Sequence, residues 1–361
     1  MLDIAIIGGG LAGLSLGQRL QQADRDFSIF EARSRFGGRI LSAAADAQHG
    51  YRYDLGPSWI WPASQPRIDR FTREHAIDIY PHWIDGKALY QTERAAAPRA
   101  YVDHQTYESA RRIHGGTSRL VEVLLQQLPE QSLHLDHHLQ QVVDHQNHVA
   151  LHFRHQGTPL VIQARQVVIT IPPRLLVNSI AFTPPLDARL QDVMQHTATW
   201  MAGHAKAVIL YERPFWRDAG YSGNALAAYQ GAALMEVFDA CSRDGAQAAL
   251  SGFFALPAGL RSRYRDDLEA LILDQLVRLF GPEAATPDEI IIQDWFDDPL
   301  TASQADEIPP DTHPQYGHAW LQLDHWSDKL YFSGTETARQ FGGYLEGALE
   351  SAERVAKHLS M

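Results

Sequence analysis

The first apolar run, Ile4 to Ile7, is short, uniformly nonpolar and followed at once by glycines, which predicts a buried strand. Leu11, Leu14, Leu16 and Leu20 then take helical spacing, and Phe27 to Phe30 predicts a second strand ending on Glu31. Strand, helix and strand make a βαβ opening. From Tyr51 to Tyr90 the sequence is irregular and aromatic, with Trp59, Trp61 and Trp83, while Thr92 to Arg112 carries alanine and charge with little period. That stretch predicts a crossover between two units, with a boundary near residue 80. Helical spacing returns at Leu120, Val123, Leu124 and Leu128, and Leu133 to Ile171 alternates like a β-meander stopped by Pro172 and Pro173. Further strands are predicted at Val208 to Tyr211, Ile290 to Trp295 and Leu330 to Phe332, and an amphipathic helix at Asp267 to Phe280. Leu345, Ala348, Leu349, Ala352, Val355, Ala356 and Leu359 trace one face of another helix. This alternation of helices and strands points to an α/β fold.

At 361 residues the chain exceeds one ordinary core, so two units or an elaborated α/β body are expected. Its 31 basic and 43 acidic residues leave a net charge of −12, which argues against nucleic acid or an anionic membrane as partner. The single cysteine, Cys241, allows neither an internal disulfide nor a cysteine-ligated metal, and suits a cytoplasmic protein. The weakly polar run Ile4 to Gly17 contains five glycines and is too short for a membrane span. Asp3 stands where a signal peptide has its basic flank, so no targeting segment is expected. Seven histidines fall between His134 and His155, yet His148 and His152 would lie about 13 Å apart along a strand, so no metal site is expected.

Gly8, Gly10 and Gly13 form G-x-G-x-x-G around Leu11 and Ala12, between the first strand and the first helix. The first glycine allows the tight turn and the second removes a Cβ that would block a diphosphate. The third lets helix and strand touch, and the helix N-terminus offers free N–H groups to an anion. Glu31, eighteen residues beyond Gly13, can accept both ribose hydroxyls and would repel a 2′-phosphate, which disfavours NADP. The segment Glu31-Ala32-Arg33-Ser34-Arg35-Phe36-Gly37-Gly38-Arg39 adds a second glycine pair and a fixed cation, suited to an extended dinucleotide such as FAD.

With this segment the sequence resembles the flavin-containing amine oxidases. Further blocks carry the resemblance: Tyr53 through Gly56-Pro57-Ser58-Trp59, Ile113 to Gly116, Val168 through Thr170 to Pro173, Lys206 with Pro214 to Arg217, Leu330 through Gly334 and Glu336 to Ala338, and Gly342-Gly343-Tyr344-Leu345 to Ala348. The resemblance implies a Rossmann-like FAD-binding domain with an interleaved mixed α+β substrate domain. Because Gly8, Glu31, Thr170 and Glu336 must converge on one cofactor, residues 1–79, 112–196 and 297–361 are assigned to the first. Residues 80–111 and 197–296 are assigned to the second. The family pattern places Glu31 at the adenosine ribose, with Ala32 beside it among the cofactor-binding residues, Arg33 and Arg39 near the diphosphate, the backbone at Leu139 near adenine and Glu336 at the ribityl-phosphate stretch. Leu345 would offer its N–H to reduced flavin, with Gly342 and Gly343 removing side chains that would hold the ring away.

Lys206 shares strand parity with His204, Val208 and Leu210, facing apolar company. The bland reading is a strand-end lysine reaching solvent; the resemblance implies instead a lysine that holds water against flavin N5. Tyr344 matches one aromatic wall around the amine, and the second falls at Gln304 or Ala305, neither of them aromatic. Trp59, Trp295 and Phe341 are the candidates to close the cage. The flavin-tethering cysteine of monoamine oxidases would fall at Ser303 or Gln304, so FAD is expected to be non-covalent. Only the short stretch Tyr80 to Arg112 stands where larger members carry a helical insertion, which predicts a shallow, open pocket. The activity implied is transfer of a hydride from an amine α-carbon to flavin N5, with oxygen reoxidising the flavin to give peroxide. A carbon–carbon desaturase and a flavin-holding redox or partner protein are the alternatives. The amine and the oligomeric state are left open.

Overall fold

A computed structural model describes residues 1–44, 51–310 and 312–359. The strand Leu2–Ile7 lies inside an eight-stranded sheet, where Ile4 and Ile6 pack to one side and Ala5 and Ile7 to the other. Cover on both faces is why this strand reads as an unbroken apolar run. Its parallel neighbours are Phe27–Phe30 and the second half of the long strand Thr158–Ile169, which in turn pairs with Leu330–Phe332. The first half of that long strand belongs to the antiparallel meander with Val149–His155 and His137–Asp144. One strand thus joins the meander to the parallel core. The helix Leu11–Gln22 covers one face of the core together with Ser118–Leu125 and Leu345–Leu359, and Pro173–Ser179 and Ala188–His196 cover the other.

A seven-stranded sheet follows the order Glu289–Asp294, Ala205–Tyr211, Ala248–Phe254, Leu234–Asp239, Tyr221–Ala227, Lys87–Gln91, Arg99–Tyr101. Ala205, Ala207, Ile209 and Tyr211 pack on the helix Leu268–Phe280. Val208 and Leu210, on the opposite parity, pack against Tyr51, Tyr53, Leu55 and Phe238. This second face turns Lys206 toward the segment around Gly56. The chain enters the region of this sheet through Ile79–Pro81 and returns through Arg111–Ile113, and these two short strands pair with each other.

Several elements depart from the sequence pattern. The irregular region 51–90 holds a helix, Pro66–Glu74, in which only Ile68, Phe71 and Thr72 are buried, too few positions to show a period. Its free N-terminal N–H groups are capped from elsewhere: the Glu346 carboxylate accepts from Arg67 N at 2.9 Å and Ile68 N at 2.8 Å. The stretch 92–112, expected to be a plain crossover, contributes Arg99–Tyr101 as an exposed edge strand. Tyr221–Ala227 and Ala248–Phe254 went unpredicted because their alanine, glycine and serine content hides alternation, and Leu234–Asp239 because exposed Met235 and half-buried Glu236 interrupt its apolar pattern. Among the described residues no helix is long and apolar enough to cross a membrane.

Candidate active site

A cavity of about 630 Å³ runs from Glu31, just past the strand Phe27–Phe30, and His137 and Leu139 in the larger sheet to Lys206, Glu236 and Phe253 in the smaller one. The glycine turn shapes its first part. Gly8 has φ of +109°, and a Cβ there would lie 2.3 Å from Thr170 Oγ1, whose hydroxyl donates to the carbonyls of Ile7 and Gly8. Gly13 lies behind the cavity wall, where a Cβ would sit 2.0 Å from Gly8 O, so it serves the contact between helix and strand. Gly10 differs from both. A Cβ on it would meet only Gly37 O, at 4.0 Å, and its bare backbone with Leu11 and Ala12 lines the cavity.

Glu31 is buried; its carboxylate accepts from Gly9 N at 2.8 Å and Arg33 N at 2.9 Å, which holds it at the cavity edge beside Ala32. The Arg33 guanidinium is tied down by Asp298 at 2.7 Å and Thr301 at 2.9 Å. Gly37, Gly38 and Arg39 line the same wall, as do Leu139, Thr170 and Gly334. Glu336 does not reach the cavity surface: it is buried behind Arg39, which pairs with its Oε1 at 2.6 Å. Leu139 precedes a β-bulge against the strand Val149–His155, which leaves it facing the cavity beside His137 and His138.

At the other end Lys206 is fully buried. Its Nζ donates to Gly56 O at 3.0 Å and to Ser58 Oγ, and it lies 5.4 Å and 5.6 Å from the ring centroids of Phe238 and Phe253. Desolvation lowers its pKa to about 7, with Arg112 pushing the same way and Asp54 and Glu236 opposing. Lys206 therefore shares the buried face of Val208 and Leu210 and does not reach solvent. Gly56, Pro57, Ser58 and Trp59 line the cavity beside it.

Tyr344 lines the cavity with Gly343 and Leu345, its ring edge-on to Trp61 at 6.0 Å and stacked on His313 at 5.2 Å. Trp295 also faces the cavity, its Nε1–H held by Leu55 O at 3.0 Å. Trp59 is fixed by a relay: its Nε1–H donates to His82 Nδ1 at 3.1 Å, and His82 Nε2 lies 3.2 Å from Asn224 Oδ1. Burial lowers the His82 pKa to about 4, so the imidazole is neutral and can accept from one ring and donate to the other partner.

Three expectations need correction. Phe341 is partly exposed and absent from the cavity wall. Gln304 and Ala305 sit in a short 3₁₀ turn, capped by Ser303 and Asp306, that does not line the cavity either. Gly342 makes room for Tyr316, whose ring carbons would lie within 2.8 Å of a Cβ there, and not for a cofactor. Sequence reasoning missed Trp61, Trp200, His204, Glu236 and Phe253, all of which line the cavity. Phe253 had a usable signal only through pairing, since it stands directly opposite Lys206 on the neighbouring strand.

The pattern that defines the flavin containing amine oxidoreductases matches residues 84–360, and an NAD(P)-binding Rossmann-like pattern matches residues 6–75. The chain belongs to the flavin-containing amine oxidoreductase family. It is an FAD-dependent, amine oxidase-like oxidoreductase with a Rossmann-like cofactor unit, and the desaturase alternative is not favoured. A putative flavin-containing monoamine oxidase of Mycobacterium tuberculosis is 30% identical over 463 aligned positions, spanning 99% of this chain and 96% of that protein. Since the chain itself has 361 residues, it lacks about a hundred positions that this family member has. Amine oxidase B of Sus scrofa is 24% identical, over 99% of this chain and 86% of its own. Among solved structures, cyclohexylamine oxidase from Brevibacterium oxydans superposes with a TM-score of 0.82 at 17% identity, covering 99% and 98% of the two chains. Putrescine oxidase bound to putrescine gives 0.81 at 17%, with the same coverage. The residues present fit FAD: the bare Gly10 backbone, the Glu31 carboxylate and the open path to Lys206 lie along one cavity.

Proposed function

We propose that this protein oxidises an amine at the Lys206 end of the cavity, using FAD held along the rest of it. The supporting observation is that a fully buried lysine with a near-neutral pKa opens onto the same cavity as the glycine cradle and Tyr344. The cofactor unit would be residues 1–79, 112–196 and 297–361, and the substrate unit residues 80–111 and 197–296, a division that follows the membership of the two sheets. Gly8, Gly10, Leu11, Ala12 and the Leu11–Gln22 helix N-terminus would hold the diphosphate, with Arg39 completing the charge balance and Arg33 bracing the wall. Glu31 would take the ribose, and the backbone near Leu139 the adenine edge. Gly334, Gly343 and Leu345 would line the flavin end, where the N-terminus of the helix Leu345–Leu359 favours negative charge.

When bound, FAD supplies the two-electron acceptor for the hydride equivalent leaving the amine α-carbon, and oxygen then carries those electrons away as peroxide. Water adds to the resulting imine and releases ammonia or the smaller amine. Tyr344, Trp59 and Trp295 would exclude bulk water and desolvate the substrate nitrogen, which lowers its basicity and supplies the neutral lone pair the reaction needs. Lys206, anchored on Gly56 and Ser58, would hold a water at the reacting face. The anaerobic bleaching of the flavin band by a panel of about fifty amines tests this reading; no bleaching by any of them would refute it.

Two outcomes follow for the cofactor. Acid or heat should release FAD into the supernatant, because Cys241 is buried beside Asp239 away from the cavity and no other thiol exists. Yellow colour that stays with the precipitate would contradict non-covalent binding. Glu31→Ala should weaken FAD retention by about 1.5 to 3 kcal/mol, roughly ten- to a hundredfold in Kd, through loss of charge-assisted hydrogen bonds. Equilibrium dialysis reads it, and an unchanged Kd would remove Glu31 from the site.

A further inference from the structure

Across three adjacent antiparallel strands the smaller sheet aligns Lys206, Phe253 and Glu236: Lys206 stands opposite Phe253, and Phe253 opposite Glu236. Directly opposed residues project from the same face, so the three side chains share the cavity wall, with Lys206 and Glu236 about 10 Å apart along the row. Tyr107 donates its hydroxyl hydrogen to Glu236 Oε1, and the other carboxylate oxygen has no hydrogen-bond partner among the described residues. Two rings line the cavity beside this row, Trp59 and Phe253, 6.1 Å apart centroid to centroid, and Phe238 and Tyr107 pack behind Trp59 at 4.5 Å and 5.4 Å.

We propose that Glu236 is the anionic end of an elongated substrate site that receives a second cationic nitrogen, so that the favoured substrates are diamines or longer polyamines. This rests on the amine oxidation proposed above. A carboxylate on a largely apolar wall with one neutral hydroxyl partner is poorly compensated, and an alkylammonium brings both the opposite charge and the missing hydrogen-bond donors. The ring-lined interval suits a methylene spacer, which needs apolar contact and offers no hydrogen bond. Lys206 does not fill the same role, since an amine anchored on Gly56 O and Ser58 Oγ offers a second cationic nitrogen no opposite charge. Burial raises the Glu236 pKa, while the Tyr107 hydrogen bond and the charge of Lys206 act to keep it ionised.

The test compares matched pairs on the holoenzyme: 1,4-diaminobutane against butylamine, and 1,5-diaminopentane against pentylamine. Wild-type protein should prefer each diamine in kcat/KM by about tenfold or more, and Glu236→Gln should bring that ratio to within about twofold of unity. Glu236→Asp keeps the charge but draws it back by one methylene, so the preferred diamine should become one carbon longer. Anaerobic thermal denaturation with the same four compounds reads binding apart from turnover: the diamines should raise Tm more than the monoamines, and Glu236→Gln should abolish the excess. Equal use of both classes by wild-type protein, or a diamine preference that survives in Glu236→Gln, would overturn the assignment while leaving amine oxidation in place. Absence of flavin reduction by all four, and by the wider amine panel, would overturn both.

Discussion

Lys206→Met is expected to slow amine oxidation by about 30- to 1000-fold while FAD remains bound, which corresponds to about 2 to 4 kcal/mol of barrier. Methionine keeps most of the stem volume and removes only the ammonium, so a packing defect is a small part of the effect. The substitution also withdraws a donor from Gly56 O and Ser58 Oγ. Rapid-mixing measurements of reduction and reoxidation locate the loss in one half-reaction. A pH signature accompanies it. The folded Lys206 titrates near pH 7 against 10.5 for a free lysine, because burial disfavours the ammonium. Below pH 7 the cavity holds a second cation that opposes an incoming ammonium, so flavin reduction should rise with an inflection near pH 7 that Lys206→Met lacks. The same shift acts on stability: between pH 7 and 10.5 the unfolded chain binds the extra proton, so this group makes stability rise with pH across that window. Wild-type rates in both half-reactions, with the inflection retained, would reduce Lys206 to a structural residue.

Glu346→Ala should cost about 3 to 5 kcal/mol of stability, the range for leaving buried charged and polar partners unmatched. Glu346 is fully buried in the first turn of the helix Leu345–Leu359, and its carboxylate serves Arg67 N, Ile68 N and the Arg67 guanidinium. Pro66 has no N–H to satisfy, so the two amides that Glu346 caps are the ones the helix Pro66–Glu74 presents next. Arg67 keeps a second partner in Glu353 at 2.9 Å, which softens the loss of its charge pairing but not that of the amides. Because Leu345, one residue earlier, lines the cavity at the end proposed for the flavin, FAD release should precede global unfolding in a denaturant titration followed at both flavin and backbone wavelengths. An unchanged midpoint would show that solvent replaces the carboxylate.

The glycine turn and the Glu31 carboxylate at the cavity were legible because their arrangement is local. Gly8, Gly10, Gly13 and Glu31 lie within one βαβ unit, where spacing along the chain determines spacing in the fold. Lys206 was legible through parity, since its strand alternates between two buried faces. Glu236 was not: it follows the exposed Met235 in a strand whose partners are identified only by long-range pairing, and a half-buried glutamate reads as a solvent-facing residue. His82 escaped for a similar reason, its role being set by Trp59 and Asn224, 23 and 142 positions away. The helix Pro66–Glu74 has too little apolar surface to announce itself, and its cap comes from residue 346.

The long strand Thr158–Ile169 has a consequence for how the protein comes into being. Leu2–Ile7 is made early but is flanked on one side by residues 164 to 169, so at about 5 to 20 residues per second it waits roughly ten to thirty seconds on the ribosome for that neighbour. Leu330–Phe332 and the helix against Leu11–Gln22 arrive later still. The half-made crevice exposes apolar strand faces throughout this interval, so nascent chains should depend on holding chaperones, and with the flavin end proposed at Leu345, FAD capture is expected only after translation has passed the helix Leu345–Leu359. Scarcity of riboflavin in the growth medium should therefore lower the yield of soluble protein and not only its colour.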